Sequence, residues 1–119
     1  MKALPLALLL AGCATIAPGT RTDLYAGCDG ATHAVEVETR VGLPWLDCTA
    51  IAARTGQLGV AALAFVGGAM GCATVWQPYP NEPRFHKAIV ILPPVTLEAI
   101  AEHEYAHTRG MRHLSADLC

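Results

Sequence analysis

Three stretches of the chain have the residue pattern of β-strands. Between residues 31 and 41, valines alternate with glutamates, which is the two-residue period of a half-buried strand. Asp29-Gly30, just before this stretch, is a dipeptide typical of a tight turn. Residues 71–76 and 86–92 are short apolar runs, and two prolines end the second of them. The pattern therefore predicts a small β-sheet, which we expect to be antiparallel.

Two further segments carry the boundary residues of helices. Residues 47–55 are predicted to form a short helix, with Asp47 as its N-cap and Gly56 as its stop. A C-terminal helix is predicted from Thr96, as its cap, to about Arg109, with a glutamate in its first turn that the helix dipole favours. The chain as a whole is therefore expected to adopt an α+β fold, in which the small antiparallel sheet packs on the C-terminal helix.

The longest apolar stretch, Gln57 to Gln77, contains no charged residue. It is long enough to cross a membrane as a helix, so that alternative has to be weighed. Gly67, Gly68 and Gly71 interrupt it, which argues against a continuous membrane helix. We therefore expect a buried or loosely packed segment of a globular domain.

The first twelve residues have the composition of an export signal, with a basic residue at position 2, an apolar stretch and small residues at its end. The ending Leu10-Ala11-Gly12-Cys13 resembles the bacterial lipobox. The resemblance implies that a signal peptide, residues 1–12, is removed and that Cys13 carries a diacylglycerol as the mature N-terminus. An ordinary signal peptide that happens to precede a cysteine is the alternative.

The resemblance to lipoproteins also implies a location and a domain organisation. Ala14, rather than aspartate, follows the cysteine, which implies the outer membrane of the bacterial cell envelope, facing the periplasm. Residues 13–22 are then expected to be the lipidated cysteine and a flexible tether, and residues 23–119 the folded domain. The lipid would be the protein's contact with the membrane.

Four other cysteines remain, an even number that predicts a disulfide framework in a small exported domain. They are Cys28, Cys48, Cys72 and Cys119. Three pairings are possible, and we prefer Cys28–Cys48, which closes a local loop, with Cys72–Cys119, which would hold the chain end in place. Thiolate ligation of a metal is disfavoured, because no Cys-x-x-Cys pair occurs and export favours oxidation.

Length and charge exclude some classes of function. The chain has 119 residues and a formal net charge of −2 at neutral pH, without a basic stripe. Nucleic acid binding therefore has no support. The exported part is one small domain with a modest core, so disulfides are expected to contribute much of its stability.

The strongest chemical signal is an H-E-x-x-H-x-x-G-x-x-H motif near the C-terminus, formed by His103, Glu104, His107, Gly110 and His113. Two histidines four residues apart on a helix project from one face and can hold one metal ion. The glutamate beside the first histidine is placed to act as general base toward a water at the metal. The glycine can adopt positive φ and turn the chain back, so that the third histidine reaches the same ion. Three protein ligands are typical of a catalytic zinc site.

This motif resembles the zinc-binding consensus of the metzincin metallopeptidases, and the chain is similar to small peptidase lipoproteins of bacteria and their prophages. The resemblance implies Zn²⁺ as the cofactor, His103, His107 and His113 as its ligands and Glu104 as general base. It covers about a tenth of the chain, and too few residues follow the motif for the Met-turn subdomain of metzincins. A variant with Asp117 as third ligand is the alternative, although it would leave the glycine-histidine spacing without a purpose.

These observations predict a lipid-anchored, zinc-dependent metallohydrolase, specifically a peptidase. Peptides or proteins are the expected substrates and peptidoglycan cross-links the second choice. Two other classes remain open: a non-catalytic envelope lipoprotein that binds zinc, and a small structural lipoprotein, such as a phage lysis component, whose motif is accidental.

The remaining chemistry-bearing residues receive simpler interpretations. His33 and His86 lie outside the motif and are expected to be strand or loop histidines rather than ligands. Tyr105 points away from the metal on a helix, so we expect it to pack in the core. The strand over residues 86–92, which precedes the motif helix, is expected to offer an edge near the substrate cleft.

Overall fold

The computed structural model describes residues 12–111. Within this range the chain forms six strands and three helices. They are β1 (Cys13–Thr15), β2 (Gly19–Ala26), β3 (Thr32–Val41), α1 (Pro44–Arg54), α2 (Leu58–Val66), β4 (Cys72–Trp76), β5 (Phe85–Leu92), β6 (Val95–Leu97) and α3 (Glu98–Thr108). The α+β class and the C-terminal helix are confirmed.

The main sheet has four strands in the order β2-β3-β5-β4, and it is mixed rather than antiparallel. β2 and β4 each run antiparallel to their neighbours, whereas β3 and β5 are parallel, with Val35 opposite His86 and Val41 opposite Leu92. The expectation of a purely antiparallel sheet is wrong at this one pair. Between β3 and β5 the chain passes through two helices and an edge strand, and such a long crossover lets two strands run in the same direction.

One face of the sheet forms the core. Along β3 the valines are buried while the glutamates between them are only partly covered, as the alternation predicts. The core cluster joins two valines of β3, three residues of β5 and one of α3: Val35, Val37, Ala88, Val90, Leu92 and Ala101. α3 therefore lies across the central strands, which fixes the position of the histidine motif relative to the sheet.

The long apolar stretch forms α2, a turn and the edge strand β4. Within the described residues, no helix is both long enough and apolar enough to cross a membrane. α2 packs against α1, and its buried residue is Ala61. The large apolar side chains of α2 are exposed. The stretch is thus part of the globular fold, as expected, but it is an exposed part.

Cys48 of α1 is bonded to Cys72 at the start of β4. Both preferred pairings, Cys28–Cys48 and Cys72–Cys119, are therefore wrong, while the expectation of disulfides is confirmed. Packing of α1 beside the sheet brings Cys48 next to the edge strand, a proximity that spacing along the chain does not reveal. Cys28 is also disulfide-bonded, and Cys119 lies outside the described residues.

The segment expected to be a flexible tether contributes to two strands instead. Ala14 pairs with Thr96 in the β1–β6 ladder, and the Ile16 N–H donates a 2.9 Å hydrogen bond to the Pro94 carbonyl. From Gly19 onward the chain belongs to β2. These backbone hydrogen bonds hold the segment against the start of α3. Residues 1–11 of the expected signal lie outside the described residues.

Both helix starts differ from their predicted caps. Thr96 is a buried residue of β6, and the Glu98 N–H at the start of α3 donates to the Gly12 carbonyl instead. α1 begins three residues before Asp47, at Pro44, and the Asp47 carboxylate accepts a 2.8 Å hydrogen bond from the Leu43 N–H. At α3 a distant backbone carbonyl thus takes the place of the predicted side-chain cap. At α1 the Asp47 side chain still bonds at the helix start, but from within the helix and to the amide of the N-cap residue Leu43.

Candidate metal centre

His103 and His107 point their ring nitrogens at a common position beside α3. The two Nε2 atoms lie 3.1 Å apart, and the rings stand almost perpendicular, at 83°, with centroids 4.6 Å apart. The four-residue spacing on a helix produces this convergence, because residues one turn apart share a face. Two nitrogens so close together can bind one ion.

The turn after α3 orients the second of these rings. His107 Nδ1 lies 2.8 Å from the Met111 carbonyl oxygen, to which its N–H donates. This hydrogen bond places the proton on Nδ1 and leaves the Nε2 lone pair directed at the common position. Gly110 has φ of +97°, as predicted, and this left-handed conformation brings Met111 back over the helix end.

Glu104 lies on the side of α3 that faces the sheet and is 8% exposed. It packs on Gly71, just before β4: a Cβ at that position would lie 3.1 Å from the Glu104 Cγ and 2.9 Å from Leu92. Because glycine has no side chain, the glutamate fits between the helix and the sheet. Glu104 offers a carboxylate oxygen, and the donor atoms of His103, Glu104 and His107 all lie within 4.8 Å of one another. This group could hold a metal ion.

Three residues of the sequence-based site lie beyond the described range. His113, the expected third ligand, Asp117, its alternative, and Cys119 are outside residues 12–111. The described structure therefore brings together two of the three expected ligands and the expected general base.

Tyr105 packs against the core, as expected. Its hydroxyl lies 2.6 Å from the Thr39 hydroxyl, and the Arg21 guanidinium lies 4.3 Å from its ring centroid, in a cation–π contact. These contacts hold α3 to the sheet on the side away from the two histidines.

In the four-stranded sheet, the strand with an outer edge beside α3 is β4, not the strand expected from the sequence. β5 lies between β3 and β4, so both of its edges are paired. β4 is the outermost strand on that side of the sheet, it contacts α3, and it follows directly on Gly71. The expectation that residues 86–92 offer the edge is wrong. Although β5 follows β4 in the chain, it lies between β3 and β4 in the sheet.

A second group of polar side chains, which the sequence interpretation missed, lies at the far end of β3 and β5. His33 Nε2 is 2.9 Å from an Asp29 carboxylate oxygen, and His33 Nδ1 is 3.0 Å from His86 Nε2. The carboxylate accepts, so neutral His33 carries its proton on Nε2, and the His86 N–H donates to Nδ1. We call this the Asp29–His33–His86 chain. In each strand the histidine lies on the face that carries the buried core residues. The sequence does not show that the two histidines meet, because it does not show that β3 and β5 are neighbours.

The two histidine pairs differ in geometry. The His33 and His86 rings are nearly parallel, at 7°, with centroids 5.3 Å apart although their nitrogens are only 3.0 Å apart. The nitrogens must therefore lie close to the line between the ring centres, which is the geometry of a straight hydrogen bond. The rings of His103 and His107 are steeply inclined instead, so their nitrogens converge from the side. Of these two pairs, only the one on α3 has the geometry of two ligands.

The Asp29–His33–His86 chain makes the protein sensitive to acid. The Ala31 N–H, then the hydrogen bonds from His33 and Arg84, lower the pKa of Asp29 to about 2. Its contribution to stability is present above its unfolded pKa near 3.8 and is lost as pH falls through about 2. Burial, then the charge of His33, lowers the pKa of His86, so protonating it also favours unfolding, beginning near pH 6.5.

We therefore expect the urea midpoint of the wild type to fall on acidification in both windows. The Asp29→Asn variant should lose the dependence between pH 4 and pH 2, and the His86→Gln variant the part that begins near pH 6.5. Denaturation curves at pH 7, 5, 4 and 2 measure this, with Asp23→Asn on β2 as the matched control. Curves that are equally pH-dependent in all four proteins would contradict it.

Comparison with family models, with curated proteins and with solved structures finds no match to this chain. The functional interpretation therefore depends on the chain's own residues. Among residues 12–111, the group of three metal-ligating side chains that the fold brings together is the one on α3.

Proposed function

We propose that this protein is a lipid-anchored, zinc-dependent metallohydrolase, specifically a peptidase. The observation that supports it most is the pair of His103 and His107 Nε2 atoms 3.1 Å apart, with buried Glu104 between them in sequence. If the motif were accidental and lay on a solvated helix face, burial of its glutamate against a glycine would not be expected.

The donor set suits zinc. Imidazole nitrogens and a carboxylate are ligands that zinc accepts, and the His107–Met111 hydrogen bond is the outer contact that a ligand histidine usually makes. His103 and His107 would hold the ion together with His113, the third ligand implied by the motif. Bound zinc would supply a Lewis acid that polarises a carbonyl and makes water more acidic.

Glu104 would move the proton. In this proposal its carboxylate accepts a proton from the attacking water and donates it to the leaving amine. Packing against Gly71 limits the positions that the carboxylate can take, so it stays close to the two histidines. A base held in place loses little freedom when the reaction begins.

A peptide substrate suits the neighbouring sheet edge. β4 lies beside α3, and an extended peptide can add to an outer strand by main-chain hydrogen bonds. Peptides and proteins are therefore the proposed substrates, with peptidoglycan peptides second. If Cys13 carries lipid, the β1–β6 ladder would hold α3 close to the membrane surface, because β6 leads directly into α3.

Metal removal tests the proposal. The purified protein is expected to contain about one zinc per chain, and a chelator should abolish cleavage of a peptide library until zinc is restored. His107→Ala and His113→Ala should lose the zinc on dialysis, whereas Asp117→Ala should keep it. Elemental analysis and mass spectrometry of the products measure both.

The possible outcomes separate the functional classes. Stoichiometric zinc without cleavage of peptides, proteins or muropeptides would favour the non-catalytic zinc-binding lipoprotein. Protein purified from zinc-containing medium without bound metal would contradict both zinc hypotheses.

A further inference from the structure

α2 exposes apolar side chains on every side except the one that rests on α1. Leu58 is 71% exposed, Leu63 75% and Val66 85%, and Val60 and Phe65 are each more than half exposed. Successive residues of a helix turn by about 100°, so these five positions occupy every side of the axis except the one that carries Ala61. The helix has one buried residue, Ala61, through which it can rest on α1. No polar stripe faces the solvent.

Charge is absent from the same region. No Asp, Glu, Lys, Arg or His occurs from Thr55 to Asn81. Met70, after the helix, is 61% exposed, and Trp45 of α1, which is partly exposed, lies with its ring centroid 5.7 Å from that of Phe65. The apolar surface thus continues from α2 onto its two neighbours.

We propose that α2 inserts into one leaflet of a lipid bilayer, independently of any lipid on Cys13. A helix that is apolar all round requires apolar surroundings on all sides. A second copy of the chain would cover one stripe of α2 and leave its other exposed sides in water, whereas acyl chains can cover every side that α1 does not. Nine residues span about 13 Å, less than half of the hydrocarbon thickness of about 30 Å, so α2 enters one leaflet and does not cross.

The neutral surface makes the insertion independent of headgroup charge. Without basic residues in the region, attraction to anionic lipids contributes little. Trp45 lies beside Phe65, near the C-terminal end of α2, and an indole ring suits the boundary between headgroups and acyl chains. Insertion therefore predicts equal affinity for zwitterionic and anionic vesicles and little effect of salt.

Vesicle binding by the mature chain, residues 13–119, with Cys13→Ser tests this, since that protein has neither the apolar signal stretch nor a thiol at its N-terminus to acylate. Co-sedimentation should give the same partition coefficient for phosphatidylcholine vesicles and for vesicles that also contain phosphatidylglycerol, at low and at high salt. Leu63→Glu and Val66→Glu are each expected to lower the coefficient at least tenfold. Leu24→Glu is the matched control, because Leu24 is 70% exposed on β2, and it should leave binding unchanged.

A second measurement locates the contact. In a Trp76→Phe background, Trp45 is the remaining tryptophan, and its fluorescence should shift to the blue with vesicles and be quenched by lipids brominated on the acyl chain. Equal losses in Leu63→Glu and Leu24→Glu would overturn the proposal, as would binding to anionic vesicles alone. Sedimentation of a dimer that Leu63→Glu dissociates, without vesicle binding, would assign the surface to a second copy of the chain.

Discussion

Replacing Glu104 with glutamine is expected to lower peptide hydrolysis by about 10²- to 10⁴-fold, the range that general base catalysis contributes. Glutamine has nearly the same size, so it can keep the packing on Gly71, but its amide cannot accept the proton of water. Zinc should remain stoichiometric, because the histidine ligands are unchanged. Product formation and elemental analysis on the same preparation measure the two effects separately.

Glu102→Gln is the matched control for this variant. Glu102 lies on the same helix and is exposed, on a different side from the two histidines. We expect its hydrolysis rate to stay within about twofold of the wild type, since a surface substitution of this kind changes little. A Glu104→Gln protein that cleaves peptides at the wild-type rate would remove Glu104 from the proposed mechanism.

Removing the Cys48–Cys72 disulfide, by Cys48→Ala with Cys72→Ala, is expected to lower the free energy of unfolding by about 3 kcal/mol. The bond joins residues 24 apart in sequence and ties α1 to the edge strand. Without the bond, the unfolded chain gains the conformational entropy of that loop. A core this small gives a low free energy of unfolding, so the loss is a large part of it. Urea denaturation of the oxidised protein measures the loss.

Each single alanine variant serves as a control for packing, because one substitution already removes the covalent bond. The two single variants and the double variant should agree within about 1 kcal/mol, with the spread due to the buried Cys48 site. A double variant as stable as the wild type would show that the bond does not constrain the unfolded chain. Loss of hydrolysis in the same variant, with zinc retained, would indicate that β4, through Gly71, also positions Glu104.

Three of the six strands within residues 12–111, namely β3, β4 and β5, are readable from the sequence because their signals are local. The valine–glutamate alternation predicts β3 within a residue at its start, and the proline pair ends the apolar run of β5. Gly110 is similarly legible, since a helix end with positive φ favours glycine. In each case the physical cause acts between residues close together in the chain.

The starts of α1 and α3 show the limit of such local sequence signals. Thr96 and Asp47 both have the chemistry of an N-cap, but Thr96 is buried in β6 and Asp47 lies within the first turns of α1. The partner that the structure shows for the first α3 amide is the carbonyl of Gly12, which precedes β1 and lies more than eighty residues earlier in the chain. No local sequence pattern could reveal this distant hydrogen-bond acceptor.

By itself, the sequence determined the α+β class, the positions of most elements and the one-turn spacing that makes His103 and His107 neighbours. Only the tertiary structure decided that β3 and β5 run parallel, that Cys48 meets Cys72, that β4 is the outer strand beside α3 and that Glu104 packs on Gly71. Periodicity and caps depend on residues a few positions apart. These other features join segments that are distant in the chain, and their choice follows from how the whole core packs.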